Sequence, residues 1–321
     1  MNGPGRPALA EWARRPLREL MEAALEAKLR HRGDRLGCCA ILNVRSGACG
    51  EDCAFCAQSA RYRTGAPVYP FKDLDEILRA AERARAAGAE RFSLVASGRG
   101  ASPREVDLAA VAVRAIRERV GIQACASLGI LDGPALAALR DAGLSRYHHN
   151  LETSEGFFPR IVTTHTYAER VATVRAARRA GLEVCAGGVF GLGETLEDRM
   201  DLAVELAGLQ VDSVPLNFLV PIAGTPLEGR PPLSVVEVLR TVALFRLALP
   251  DRPIRICGGR EQVLGGLQGL AYWAGADALM VGGYLTVGGA AVEDDRRFVA
   301  EMRALWREEI GRMRGAGPVS G

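Results

Sequence analysis

Two apolar periods alternate along the chain. Short runs dense in β-branched and apolar residues fall at 38–44, 91–97, 123–129, 146–152, 183–189, 213–220, 253–258 and 278–284, each the length of a strand. Between them apolar positions recur every three to four residues, which predicts helices over 73–87, 103–119, 133–142, 167–179, 195–208, 234–248 and 261–273, with a last one over 292–312. Ser102-Pro103 supplies a helix start and Ala86-Ala87-Gly88 a helix stop. Ahead of this alternation, residues 16–31 place Leu17, Leu20, Met21 and Leu25 on one face, a helix ending at Arg32-Gly33 and expected to cap the barrel. Eight β/α units in series predict an α/β fold with a parallel sheet, a (β/α)8 TIM-type barrel. The division that follows is a helical extension over 1–34, one barrel over 35–312, and a disordered tail over 313–321, with no linker inside the barrel.

Composition narrows the class. Hydrophobic residues make up 48% of 321, enough for a large core. Met1 to Arg15 is Pro/Gly-rich and then charged, without a signal peptide's apolar core, and no run of about 18 apolar residues follows. A cytoplasmic protein with no membrane partner is expected. With 41 basic and 38 acidic residues the net charge is +3, which gives no reason to expect a nucleic-acid partner. Eight cysteines could form four disulfides in a secreted protein, but in a reducing compartment they read as metal ligands or buried residues.

Three of those cysteines, Cys49, Cys53 and Cys56, stand at C-x3-C-x2-C spacing directly after the first predicted strand. Thiolates on so short a loop can converge on one iron–sulfur cluster. Three ligands leave one iron of a four-iron cluster open to a small molecule, as a catalytic metal site keeps an open position. The alternative is a zinc knuckle or free thiols, but zinc wants a fourth close ligand. No His lies between His31 and His148, the next cysteine is Cys125, and Cys38 and Cys39 sit at the far end of the preceding strand. A second group comprises Cys125, Cys185, Arg255 and Cys257, in the third, fifth and seventh predicted strands. Arg255 and Cys257 are two apart and share a face. Facing inward, they would meet the other two and could build a second cluster; each cysteine alone could equally be a small core residue. A buried arginine, however, requires a partner.

At CGEDCAFCAQSARY (49–62), YHHNLETS (147–154), TTHTYAERV (163–171), GLEVCAGGVFGLGET (181–195), SVPLNFLVPIAGTPL (213–227) and IRICGGRE (254–261), the chain resembles the biotin synthase family of the radical S-adenosylmethionine (SAM) superfamily. The resemblance runs over roughly residues 35–300. It implies radical insertion of sulfur into dethiobiotin, the last step of biotin biosynthesis, with sulfur drawn from an auxiliary iron–sulfur cluster. By the same resemblance Cys49, Cys53 and Cys56 hold a [4Fe–4S] cluster that chelates SAM, and Cys125, Cys185 and Arg255 hold the auxiliary cluster. It further implies that Asn150 binds substrate, Glu152 the SAM ribose and Arg170 the SAM carboxylate, that Tyr62 lies near the adenosine, and that Asn217 contacts dethiobiotin. A flavodoxin or ferredoxin electron donor and a homodimer are also implied.

One position departs from the family's commoner form. Ser93 stands where a further auxiliary cysteine is expected, and Cys257 is an extra thiol on the face of Arg255. The expectation is an auxiliary site of Cys125, Cys185 and Cys257, either [2Fe–2S] or a variant four-iron cluster. Asn150 and Glu152 share one face of the fourth strand, His148 joins that face and His149 points away, and both histidines read as core residues. The glycines of GGVFGLGE and GGRE fit no phosphate loop and are expected to let backbone approach SAM or the cluster. Two competing readings remain: a related radical SAM enzyme, such as a hydrogenase maturase or methylornithine synthase, and a non-catalytic zinc or iron–sulfur protein.

Overall fold

The computed structural model describes residues 5–282 and 291–315. Strands β1 (Gly37–Arg45), β2 (Arg91–Ala96), β3 (Gln123–Ser127), β4 (Arg146–His148), β5 (Glu183–Cys185), β6 (Gly188–Phe190), β7 (Val214–Phe218), β8 (Ile254–Ile256) and β9 (Ala278–Met280) form one parallel sheet. The order is β5-β4-β3-β2-β1-β9-β8-β7-β6, so the sheet curls until its two outer members are successive pieces of one chain path. Bridges from Cys185 to Ser213 and from Glu152 to Gly188 tie those pieces to the neighbouring strands. The fold is the expected α/β, TIM-like one, with the fifth predicted strand split in two.

The split has a steric cause. A Cβ on Gly187 would sit 1.9 Å from the Pro215 carbonyl oxygen, and one on Gly188 would sit 2.4 Å from that of Glu152. Neighbouring backbone fills the space a side chain would need. Gly187 and Gly188 therefore allow close strand-to-strand approach.

Helices α1 (Arg6–Arg14) and α2 (Leu17–Arg32) precede the sheet, and α3 (Leu74–Ala86), α4 (Pro103–Ala115), α5 (Gly133–Asp141), α6 (Tyr167–Arg179), α7 (Leu196–Gly208) and α8 (Val235–Ala248) alternate with its strands. Capping boxes at Ser102, Thr166, Thr195 and Ser234 satisfy backbone donors and fix four of these starts. The expected helix over 261–273 is broken into α9 (Arg260–Leu264) and α10 (Gln268–Trp273) by a 3-10 turn at Gly265–Leu267, where two glycines weaken helix. The last helix, α11 (Val292–Gly315), runs into the stretch read as a tail; residues 316–321 of that tail, and 283–284 of the eighth predicted strand, lie outside the described residues. The α1 helix was not expected from so polar a segment. Pro7 suits a first helical turn, and Leu9 is fully buried.

At the end of the barrel where strands begin, α2 and α8 meet around one carboxylate. Asp277, fully buried, accepts from Arg246 Nη2 at 2.7 Å, from Arg32 Nε at 2.6 Å and from the Ile254 backbone N–H at 2.8 Å. Arg246 is also fully buried and spends its other donors on the carbonyls of Gly275, Pro250 and Arg252. Breaking such a pair strands a buried charge, so Asp277→Ala should cost about 3–5 kcal/mol. Urea unfolding of the variant checks this, and a loss near that of an exposed substitution would contradict it.

Candidate active site

The loop after β1 has almost no regular structure, and other elements hold its shape. Ala60 N–H donates to the Cys49 carbonyl at 2.7 Å and Cys49 N–H to the Gln58 carbonyl at 3.1 Å, closing the loop at its base. Ala54 N–H reaches the Ile161 carbonyl at 2.9 Å. Asp52 accepts from the Thr163 and Thr164 backbone N–H groups at 2.9 and 3.2 Å, and from both their hydroxyls. Burial acts to raise the Asp52 carboxyl, but the threonine hydrogen bonds outweigh it and hold the group at about 2.

Glu51 continues the tie inward. It binds His165 Nδ1, and His165 Nε2 meets Arg170 Nη1 at 2.9 Å. An arginine only donates, so Nε2 accepts and Nδ1 carries the proton toward Glu51. Arg170 also donates to Glu152 Oε1 at 2.8 Å and to the Asn150 carbonyl at 2.6 Å. Thus a continuous polar chain, Glu51–His165–Arg170–Glu152, links the cysteine loop to the exit of β4. Glu152 holds a φ of 71°, strained for a residue with a side chain.

A cavity of about 240 Å³ opens over this chain. Cys49, Cys53 and Cys56 line its mouth, Asn150, Glu152 and Arg170 its wall, and Asn217, Cys185, Arg255 and Cys257 its floor. Asn217 lies within β7 and spans its neighbours, donating to the Gly188 carbonyl at 3.0 Å and accepting from Gly258 N–H at 3.1 Å. Tyr62 does not line the cavity: its hydroxyl donates to the Asp52 carbonyl at 2.5 Å and so braces the loop from outside. His148 and His149 both border the cavity, because the strand ends at His148 and face alternation stops there. His149 Nε2 is buried without a partner among the described residues, and burial together with Arg146, Arg255 and Arg91 holds His148 down at about 3, neutral.

Beneath the floor is a pocket of about 10 Å³, lined by Ser93, Cys125, Arg91 and Arg146 and sharing Cys39, His148, Cys185 and Arg255 with the main cavity. Register explains the gathering: Ser93 pairs with Cys125, Cys125 with Arg146, and His148 with Cys185. Cys257 lines the upper cavity alone and Cys125 the lower alone, with Cys39 and Cys185 at the junction. Cys39 is the residue sequence reading missed. Burial pushes the thiols of Cys39, Cys185 and Cys257 up, against the pull of Arg255. Burial also works against the Arg255 charge, but those same thiols raise it overall.

Among the described residues no three His, Cys, Asp or Glu side chains gather tightly enough for a single metal ion. The loop thiols instead surround a space, a donor set suited to a multinuclear group with thiolate ligands. At the floor the thiols of Cys39, Cys125 and Cys185 gather beside the buried Ser93 Oγ, which has no hydrogen-bond partner among the described residues.

Comparison with known proteins bears on what occupies these places. The Radical SAM superfamily family model matches residues 43–206, and the Biotin and Thiamin Synthesis associated domain matches 215–303. The chain is 52% identical over 287 residues to the biotin synthase of Pelotomaculum thermopropionicum, covering 89% of each. It is 50% identical over 275 residues to that of Thermotoga neapolitana, covering 85% of this chain and 98% of the relative. The chain belongs to the biotin synthase family. A crystal structure of methylornithine synthase superposes with a TM-score of 0.77 over 94% of this chain and 92% of the other at 21% identity, a likeness of fold. Biotin synthase membership makes the protein a radical SAM enzyme and implies a [4Fe–4S] cluster and SAM as its cofactors.

The Asp52 contact gives a pH prediction. A carboxyl held at about 2 instead of its ordinary 3.8 contributes stability that is complete above 3.8 and is lost as pH falls toward 2. Asp52→Asn should therefore be less stable than the parent at pH 7, with the gap narrowing below pH 4. Denaturant midpoints across that range measure it, and a gap independent of pH would contradict the assignment.

Proposed function

We infer that this chain is a biotin-forming enzyme that inserts sulfur into dethiobiotin by radical SAM chemistry. The observation that carries the reading is a single cavity with a three-thiol loop at its mouth and a thiol-ringed arginine at its floor. A maturase or methylornithine synthase gives no reason for the second thiol group.

Each site residue is assigned a role on this reading. Cys49, Cys53 and Cys56 hold the [4Fe–4S] cluster, leaving one iron for the amino and carboxylate groups of SAM. Arg170 orients that carboxylate, Glu152 takes the ribose diol and Asn150 the substrate, all three already fixed by mutual hydrogen bonds. Asn217 completes the substrate wall, and Tyr62 acts through the loop. Pre-bonded side chains of this kind hold reactants in geometry without reorganising. When bound, the cluster and SAM supply a radical able to take hydrogen from an unactivated carbon, and the auxiliary group supplies sulfur.

Cys125, Cys185, Arg255 and Cys257 are assigned to the auxiliary group, and Cys39 joins them from its place at the junction of the two cavities. The group is either [2Fe–2S] or a variant four-iron cluster, since four protein ligands can hold either. The reading also adopts residues 1–34 as a helical extension to one catalytic barrel over 35–312, a cytoplasmic homodimer, and a flavodoxin or ferredoxin as electron donor. Among the described residues no helix is long and apolar enough to cross a membrane.

Anaerobic incubation of the reconstituted protein with SAM, dithionite and dethiobiotin, read by mass spectrometry, should give biotin and 5′-deoxyadenosine together. Deoxyadenosine without biotin would overturn the substrate. Cys53→Ala should abolish both products. Arg170→Ala, which uncouples His165 from Glu152, should lower the rate roughly 100-fold with iron content unchanged.

A further inference from the structure

The floor of the cavity has a second side. Arg91, Arg146 and Glu183 open β2, β4 and β5, and each stands two residues before a residue of the lower pocket, namely Ser93, His148 and Cys185. Residues two apart share a face, and a strand rises about 3.3 Å per residue, so a layer roughly 6.6 Å deep separates the floor from the ends of the strands. That layer is ionic. Glu183 Oε2 accepts from Arg146 Nε at 3.0 Å and Nη2 at 2.8 Å, and from Arg91 Nη2 at 3.1 Å. Arg91 Nη1 donates to the Ser145 hydroxyl at 3.1 Å, which lies 3.8 Å from Cys125 Sγ. The Glu183 side chain is 45% exposed, against 18% for Arg91 and 8% for Arg146. The carboxylate therefore faces solvent while both guanidiniums line the pocket behind it.

Other carboxylates at this end of the barrel are turned elsewhere. Asp212 accepts from the Val184 N–H at 2.8 Å and faces Arg178 and Arg252. Asp277 is bound by Arg246 and Arg32, and Glu90 is exposed beside Gly37. Three guanidiniums, those of Arg91, Arg146 and Arg255, thus line a pocket of about 10 Å³, room for one water-sized group. Its lining favours an anion, and its size excludes sulfate and phosphate. An ion pair as exposed as that of Glu183 is screened by water and opens at little cost. The opposite way to the floor runs through the mouth of the cavity, where SAM and dethiobiotin are assigned.

We propose that the Arg91–Glu183–Arg146 layer is a gate through which hydrosulfide enters from the strand-start end and reaches the floor thiols. The inference rests on the reading of the floor as an iron–sulfur site that gives up sulfur. Hydrosulfide is an anion of one heavy atom, and it is the form of sulfur that such a site must regain. Outward movement of Glu183 uncovers two guanidiniums that draw the anion in. Inside, the Ser93 hydroxyl, buried without a partner among the described residues, is free to donate to it. In an exchange at the floor one hydrosulfide enters and one leaves. The entering ion gives up its proton, the departing sulfide takes one, and no electron moves.

The test is isotope exchange. Reconstituted protein is held anaerobically with 34S-labelled hydrosulfide, without reductant, and its acid-labile sulfide is read by mass spectrometry over time. The floor's share is the part missing from a Cys39→Ser/Cys185→Ser/Cys257→Ser variant. Floor exchange in the wild type should continue with SAM and dethiobiotin bound. Glu183→Gln, which loosens the gate and frees its positive charge, should speed floor exchange roughly 10-fold. Arg91→Gln, which leaves Arg146 to hold Glu183 and removes one attracting charge, should slow it. Exchange at the mouth should be the same in all three proteins. Equal floor rates in the three would overturn the gate, and so would floor exchange that stops once SAM and dethiobiotin fill the mouth. Mouth and floor rates that rise together in Glu183→Gln would overturn it as general loosening. Wild type with no floor sulfide at all would overturn the reading of the floor, and the gate with it.

Discussion

The cysteine loop cannot hold its own shape, and the rest of the site depends on what holds it. Asp52 takes the backbone of Thr163 and Thr164, and Glu51 takes His165, so a segment more than a hundred residues away in sequence fixes where three thiols point. The same segment opens α6 through a Thr166 capping box, and α6 delivers Arg170 to Glu152. One short polar stretch therefore sets both the ligand loop and the wall facing it. A carboxylate held at about 2 keeps that tie ionised well below the ordinary carboxylate range.

Deeper in the barrel the organising constraint is Arg255. A buried guanidinium needs compensation, and among the described residues the Leu279 carbonyl at 3.1 Å, the surrounding thiols and, less strongly, the Asp277 charge provide it. The thiols in turn are pushed toward their neutral forms by burial. Each is an incomplete partner for the other, and thiolates bound to metal would complete the balance. The Ser93 hydroxyl at the same depth has no hydrogen-bond partner among the described residues.

Much of this was legible in the sequence. Alternating periods of two and three to four residues gave the barrel, and C-x3-C-x2-C after the first strand gave the loop. The two-residue spacing of Arg255 and Cys257 put both on the cavity side. Cys39 escaped because position along a strand says nothing about the curl of the sheet: it is remote from Cys185 in sequence, yet the curled sheet brings both to the same two cavities. His165 stood in plain view before a capping box, but its role comes from Glu51 and Arg170, which only folding assembles. The split of the fifth strand needed the Pro215 and Glu152 carbonyls, both contributed by other strands, before the glycines could be understood.

The central claim is that the cavity carries two separate thiol sites, one at its mouth and one at its floor. The most direct test is Mössbauer spectroscopy and iron counting on 57Fe-reconstituted wild type beside a Cys39→Ser/Cys185→Ser/Cys257→Ser variant. The account predicts that the variant loses only the floor iron and keeps a four-iron spectrum that changes when SAM is added. Simultaneous loss of both signals, or loss of neither, would contradict it.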